Sequence, residues 1–330
     1  MLEQKIYEFI QKHQLIENGD KVVLGVSGGP DSICMLNILN QIKKQAWIDF
    51  EMVVGHVNHG LRENAVGDEK FVKQFCEERE ITYFIRKVNV KEIAQRQKRG
   101  LEETGRMVRY TFFDEILKKT MSNKIAIAHN CNDNAETILM NLFRGTGTKG
   151  LIGIETKNGK YIRPLLETKR ADIEEYLRQN GIAARHDESN EDNTFTRNKI
   201  RNMVLPYLEK EFNSNMLAAL QRLSDIIKEE EAYWQKEMAR IYREICISES
   251  ETEMILDLKK FNELEKVVQK RMIFYSIQKL FGCVKGIEKI HIDDIIKLCN
   301  NNIGNKYLTP NKHLKIVTQK KQLKIIAVTC

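Results

Sequence analysis

A chain of 330 residues has room for about two domains, and a hydrophobic content of 42% is ample for their cores. Its 53 Lys+Arg against 46 Asp+Glu give a net charge of +7, compatible with a nucleic-acid partner without demanding one. No apolar run approaches the roughly 18 residues of a membrane span, and Met1-Leu2-Glu3-Gln4-Lys5-Ile6-Tyr7 lacks a signal peptide's continuous apolar stretch, so no membrane partner and a cytoplasmic location are expected. The seven cysteines include no C-x-x-C pair, which suggests neither a zinc ribbon nor a cysteine-held cluster. Reduced, packed thiols are the expectation.

In chain order, Ile6, Phe9, Ile10 and Leu15 mark an amphipathic helix ahead of the first strand. That strand, Val22-Val23-Leu24-Gly25-Val26, is continuously apolar, as in a parallel sheet buried on both faces. It breaks into Ser27-Gly28-Gly29-Pro30-Asp31-Ser32 and restarts as the helical run Ile33 to Leu39. Glycines at a strand-to-helix turn let the backbone approach a ligand, and the unpaired N–H groups of the new helix favour an anion, so a phosphate is the natural guest. A Walker loop is excluded because no lysine follows the glycines. Gly25-Val26-Ser27-Gly28-Gly29 fits the G-x-S-x-G nucleophile elbow, but it follows the first strand, before any strand that would supply an oxyanion loop.

Phe50 to Val57 reads as the second strand, ending in His56 and His59 at the edge where an open parallel sheet meets its ligands. Neither histidine has an acid or cysteine at metal-ligand spacing. A helix from about Gly67 to Glu80, a strand from Ile81 to Val88 and a helix opened by Leu101-Glu102-Glu103 continue the alternation of a doubly wound α/β sheet. Arg106 and Arg109 share one face of that helix and suit a phosphate or carboxylate. After the strand Lys124 to His129, Asp133 and Glu136 stand three apart at a helix start, an anionic pair suited to an ammonium group or Mg²⁺ or serving simply as helix caps. A basic glycine loop, Arg144 to Gly150, and a helix from about Lys169 to Asn180 follow. Arg197 and Arg201, one helical turn apart, are well made to grip phosphate oxygens bidentately.

The stretch S-G-G-P-D-S resembles the ATP pyrophosphatase loop, whose enzymes split ATP between the α- and β-phosphates. With H-V-N-H-G-L-R, E-E-x-x-R-x-x-R-Y, A-H-N-x-N-D-x-x-E-T, R-G-T-G, I-R-P-L and D-x-S-N-x-D-x-x-x-x-R-N-x-I-R in order over roughly residues 20 to 212, the chain resembles the tRNA(Ile)-lysidine synthetase family. Many members have two aspartates where this chain has Asn132-Asp133. The resemblance implies an adenine nucleotide alpha hydrolase-like sheet over 1–212 that ligates L-lysine to C2 of the wobble cytidine of the CAU-anticodon isoleucine tRNA. ATP and Mg²⁺ are the implied cofactors. Ser27, Gly28, Gly29, Pro30, Asp31, Ser32, His56 and His59 are then expected at the nucleotide, with Asp31 reaching the Mg²⁺ through ATP. Asp31, Arg197 and Arg201 are the implied catalytic residues, and Arg106, Arg109, Asp133 and Glu136 are the implied substrate-binding ones. Thiolation of another tRNA base, a small-molecule ligase and a nucleotide-binding module without catalysis stay open as other users of such a loop, and so does a homodimer.

Residues 213–330 are expected to form a tRNA-binding domain, mainly helical and ending in short strands. Met216 to Ile245 reads as one long helix, with Lys228-Glu229-Glu230-Glu231 on a solvated face; Phe261 to Leu280 and Ile292 to Leu298 are further helices, and Tyr307 to Val328 is strand. From Lys306 onward there are six lysines and no acid, a charge pattern that fits binding to phosphates.

Overall fold

The computed structural model describes residues 1–60, 65–185, 193–282, 286–301 and 306–328, and divides into two compact units, 1–227 and 228–330. The Leu61-Arg62 end of one motif and the acidic turn from Asp187 to Asp192 lie outside the described residues.

The first unit is a six-stranded sheet in the order β3-β2-β1-β4-β6-β5. Its strands are β1 (Lys21–Gly25), β2 (Glu51–Asn58), β3 (Tyr83–Lys87), β4 (Lys124–Ile127), β5 (Lys157–Asn158) and β6 (Tyr161–Ile162). All pairs are parallel except β5 with β6. Side chains alternate between two buried faces. Val22, Leu24, Val54 and Ala126 join a core with α1 (Leu2–Lys12), α2 (Pro30–Lys44), α3 (Ala65–Glu77) and α7 (Arg170–Gln179). Val23, Val57, Ile125 and Ile127 pack on α5 (Leu101–Thr120), which follows the short α4 (Val90–Gln97). This double burial explains the absence of period-two alternation in the strand sequences.

Gly25 and Gly55 are paired in register across β1 and β2. A Cβ on Gly25 would lie 2.7 Å from the Phe113 ring, and one on Gly55 would lie 2.8 Å from Ile116, so the two glycines are the recess that admits α5. Gly25 therefore has a packing role in the strand, and the match to the nucleophile elbow needs no chemistry.

The chain leaves β1 toward β2 and returns to β4 on the other side, so the loops after β1 and β4 diverge at the switch point of the sheet, where ligands of such folds bind. The second of these loops starts α6 (Cys131–Phe143). Against its far side pack Ile200, Leu205, Leu217 and Leu220, contributed by a π-helical turn (Ile200–Val204) that follows α8 (Thr196–Lys199), by α9 (Leu205–Glu211) and by the start of α10 (Met216–Ile245).

The second unit is built on an antiparallel sheet in the order β7-β8-β11-β10-β9: β7 (Cys246–Glu249), β8 (Glu253–Asp257), β9 (Lys306–Asn311), β10 (Leu314–Gln319) and β11 (Gln322–Ala327). Its core joins Met254, Leu256, Ile316, Leu323 and Ile325 to Met238, Ile241 and Ile245 of the long helix and to α11 (Leu258–Glu263), α12 (Lys266–Phe281) and α13 (Lys289–Asn300). The long helix matches its expected span. Glu231, expected on a solvated face, takes the Arg271 guanidinium at 2.7 Å. The expected helix from Phe261 is broken at Leu264, whose extended backbone separates α11 from α12. The two units divide at 227, inside α10.

Candidate active site

Ser27 to Ser32 curl around a single hydroxyl. Ser32 Oγ accepts from the Ser27 and Gly28 amides, each at 3.1 Å, and donates to the Gly29 carbonyl at 2.9 Å. Gly28 adopts φ +96°, a left-handed conformation that only glycine takes without strain. Gly29 is the N-cap of α2 and Pro30 its first residue, so the free amides of the helix start lie next to a loop whose own amides are held by the Ser32 and Ser27 hydroxyls. Such a nest, at the positive end of a helix, is a binding place for a phosphate.

Asp31 follows in the first turn of α2. Its Oδ1 accepts from Asn130 Nδ2 at 2.9 Å, and its Oδ2 lies 3.9 Å from Arg170 Nη2. Burial, reinforced by the nearby Asp133 carboxylate, raises its pKa to about 6 despite Arg170 and the Asn130 hydrogen bond. Two carboxylates sharing a buried place are a natural seat for a cation. Among the described residues no group of three or more His, Cys, Asp or Glu could hold a metal by itself. The donor set therefore suits a Mg²⁺ that arrives with phosphate oxygens.

Asn130 caps α6 reciprocally with Asp133: the Asp133 amide donates to Asn130 Oδ1 at 2.9 Å and the Asn130 amide to Asp133 Oδ2 at 3.1 Å. The other oxygen, Asp133 Oδ1, accepts from Arg201 Nη2 at 2.9 Å and Arg197 Nη2 at 3.1 Å. Glu136, fully buried, accepts from Arg197 Nε at 2.8 Å and Arg201 Nε at 2.5 Å. The acids and arginines thus form one network of two positive and two negative charges.

Asn132 Oδ1 accepts from the backbone amide of Arg170 at 3.0 Å, tying the start of α6 to the start of α7. Sequence reasoning passes over Asn130 and Arg170. The N-cap position of Asn130 is the available signal for the first; nothing local marks Arg170. Nor does it single out His129 and Arg163. Arg163 Nε donates to His129 Nδ1 at 3.2 Å, and burial lowers the His129 pKa to about 4, so the ring is neutral with its proton on Nε2. Arg185 is likewise unmarked in the sequence: its amide donates to the Gly28 carbonyl at 3.0 Å and its Nε to Asp68 at 2.9 Å, placing it against the loop.

His56 is buried, and its Nδ1 lies 2.9 Å from the Val26 carbonyl, which holds the end of β1 just before the loop. Burial depresses its pKa, so it stays neutral and donates from Nδ1. His59 stands beside Gly105 on α5. Arg106 is exposed, donating to the Tyr110 hydroxyl at 3.2 Å, and Arg109 is exposed on the same helix. The structure thus gathers Asp31, Asp133, Glu136, Arg197 and Arg201 beside the loop, while Arg106 is engaged along α5.

The PP-loop domain family matches residues 1–208. The chain is 38% identical over 322 residues to a protein of Clostridioides difficile named tRNA(Ile)-lysidine synthase, an alignment covering 97% of this chain and 69% of the relative. It is 39% identical over 308 residues to the protein of that name from Clostridium acetobutylicum, covering 92% and 65%. The chain thus spans about two thirds of the length of these relatives. Among solved structures, the U34-tRNA thiolase NcsA from Methanococcus maripaludis, described with its [4Fe-4S] cluster, matches with a TM-score of 0.57 and 22% identity over 68% of this chain and 79% of that one, a likeness of fold. The glycine loop, the paired arginines and these matches together place the chain: it belongs to the tRNA(Ile)-lysidine synthase family of PP-loop proteins.

Proposed function

We propose that the protein ligates L-lysine to C2 of the wobble cytidine of the CAU-anticodon isoleucine tRNA, consuming ATP and releasing AMP and pyrophosphate. The observation that carries this reading is a PP-loop nest beside a buried cluster of two acids and two arginines, in a chain of the lysidine synthase family.

In this reading the Ser27 to Gly29 loop and the free amides at the start of α2 bind the nucleotide phosphates, and Asp31 would hold a Mg²⁺ that offsets their charge. The cytidine O2 attacks the α-phosphorus, pyrophosphate leaves, and the C2–O–P linkage so formed makes AMP a good leaving group from C2. The lysine ε-amine then adds at C2 and AMP departs. A free lysine ε-amine is protonated at neutral pH, with a pKa near 10.4, so the site must desolvate it rather than pair it with a carboxylate. The acids are therefore assigned to the α-ammonium. Since Asp133 and Glu136 are already bonded to Arg197 and Arg201, the α-ammonium enters by exchange: it takes carboxylate oxygens from the guanidiniums, which turn to the α-phosphate. The α-phosphate then offsets the positive charge that the α-ammonium brings to the cluster. Arg106 and Arg109 are left as candidates for the lysine carboxylate, and His56 and His59 for the nucleotide side.

Incubation with ATP, L-lysine and bulk tRNA should release AMP only when all three are present. AMP release without tRNA would favour a small-molecule ligase, and none at all would favour a binding module.

A further inference from the structure

We propose that Arg170 is a phosphate-binding residue of this site, taking the β- and γ-phosphates of the nucleotide and then the departing pyrophosphate. The inference rests on the proposed use of ATP. It starts from charge: Ser27 to Ser32 contain no lysine, so the loop offers amide dipoles without a full positive charge to a strongly anionic ligand.

Most guanidiniums near the loop are engaged elsewhere. Arg197 and Arg201 are bonded to Asp133 and Glu136, Arg185 to Asp68, and Arg163 to His129 and the Glu155 carbonyl. Arg170 differs. Its Nη2 lies 3.9 Å from Asp31 Oδ2, close enough for attraction and too far for a hydrogen bond, while Asp31 takes its hydrogen bond from Asn130. Its Nε is buried without a hydrogen-bond partner among the described residues. An arginine kept only to anchor α7 would close a bidentate pair with that carboxylate, the arrangement its planar fork favours.

The backbone, by contrast, is fixed. Arg170 is the first residue of α7, and Asn132 Oδ1 accepts from its amide at 3.0 Å. The side chain is thus delivered to the mouth of the loop from a firm base with hydrogen-bonding capacity to spare. Phosphates bound on the nest would face it, and turning to them would release Asp31 to the Mg²⁺.

The test is calorimetric titration of the full chain with Mg²⁺-pyrophosphate and, separately, AMP, without tRNA or lysine, on wild type, Arg170→Gln and Arg170→Lys. Arg170→Gln should weaken pyrophosphate binding by about tenfold or more and leave AMP within about twofold, since AMP has no β- or γ-phosphate. Arg170→Lys should recover part of the affinity as a point charge without the fork. Unchanged pyrophosphate affinity in Arg170→Gln, a parallel weakening for AMP, or a wild type with no affinity for pyrophosphate would each overturn the proposal. Tight pyrophosphate binding by a wild type that releases no AMP with ATP, tRNA and lysine would defeat the lysidine reading alone.

Discussion

Asp133 and Glu136 are three residues apart in sequence yet differ in what they do. Asp133 divides its oxygens between the cap of α6 and the arginines, whereas Glu136 gives both to the arginines. Glu136→Gln should therefore raise the KM for lysine by about tenfold or more while moving that for ATP little, because one charge-assisted bond is worth about 1.5–3 kcal/mol. Initial-rate kinetics decide it, and an ATP KM that moves instead would make the pair a metal seat. Asp31→Ala should abolish AMP formation with the thermal transition preserved; normal turnover would remove Asp31 from the mechanism. The residues proposed for this chemistry are legible in the sequence because their types and spacing are chemical. Their mutual pairing is not: Arg197 and Glu136 lie 61 residues apart, and no local pattern announces that they meet.

Between whole elements, the fit of α5 onto the sheet hangs on two side chains that are missing. Gly25→Ala would drive a methyl into Phe113 and should cost about 1–3 kcal/mol in urea unfolding. Because the clash is with one ring, the same change should cost less in a Phe113→Leu background, a coupling that a double-mutant cycle measures. At the opposite end of β1, Asp20 is buried, which opposes its ionisation, but Lys124 at 2.6 Å and donors from Glu17 and Asn123 hold its carboxyl below the ordinary range. A depressed folded-state pKa stabilises the fold above the ordinary carboxylate value and loses that contribution as pH falls through the folded one. Asp20→Asn should thus lower stability near neutrality by about 1–3 kcal/mol and flatten its fall in acid, read from melting against pH. In this unit β1 to β4 and the long helices follow from apolar runs and breaks, whereas α4 and the two-residue β5 and β6 do not. In the other unit β7 and β8 leave no such trace, since Met254 and Leu256 are the only buried positions of a five-residue strand whose meaning depends on pairing with β11.

Taken as a whole, the chain has its glycine loop and its acid–arginine cluster in the first unit and its densest acid-free run of lysines in the second. If those lysines meet RNA phosphates, replacing Lys312, Lys315, Lys320 and Lys321 with Gln should weaken tRNA binding and reduce its salt slope by about 0.9 for each phosphate no longer neutralised, on the duplex-DNA scale. An unchanged slope would leave them as a solvated sheet face. Lys315 stands 4.9 Å from the exposed Tyr307 ring on the neighbouring strand, so Tyr307→Ala is a useful companion variant.

The split carboxylate of Asp133 also makes a gauge of the helix it caps. Its two oxygens belong to one rigid plane, so a ligand that draws on Oδ1 tugs on Oδ2, and the Asn130 amide bonded there registers the pull. Hydrogen–deuterium exchange at that amide, followed while lysine is added, should therefore change its rate upon occupancy even before any bond is made to the nucleotide, giving a backbone signal of amino-acid arrival. A rate indifferent to lysine would mean that the amino acid leaves this carboxylate alone.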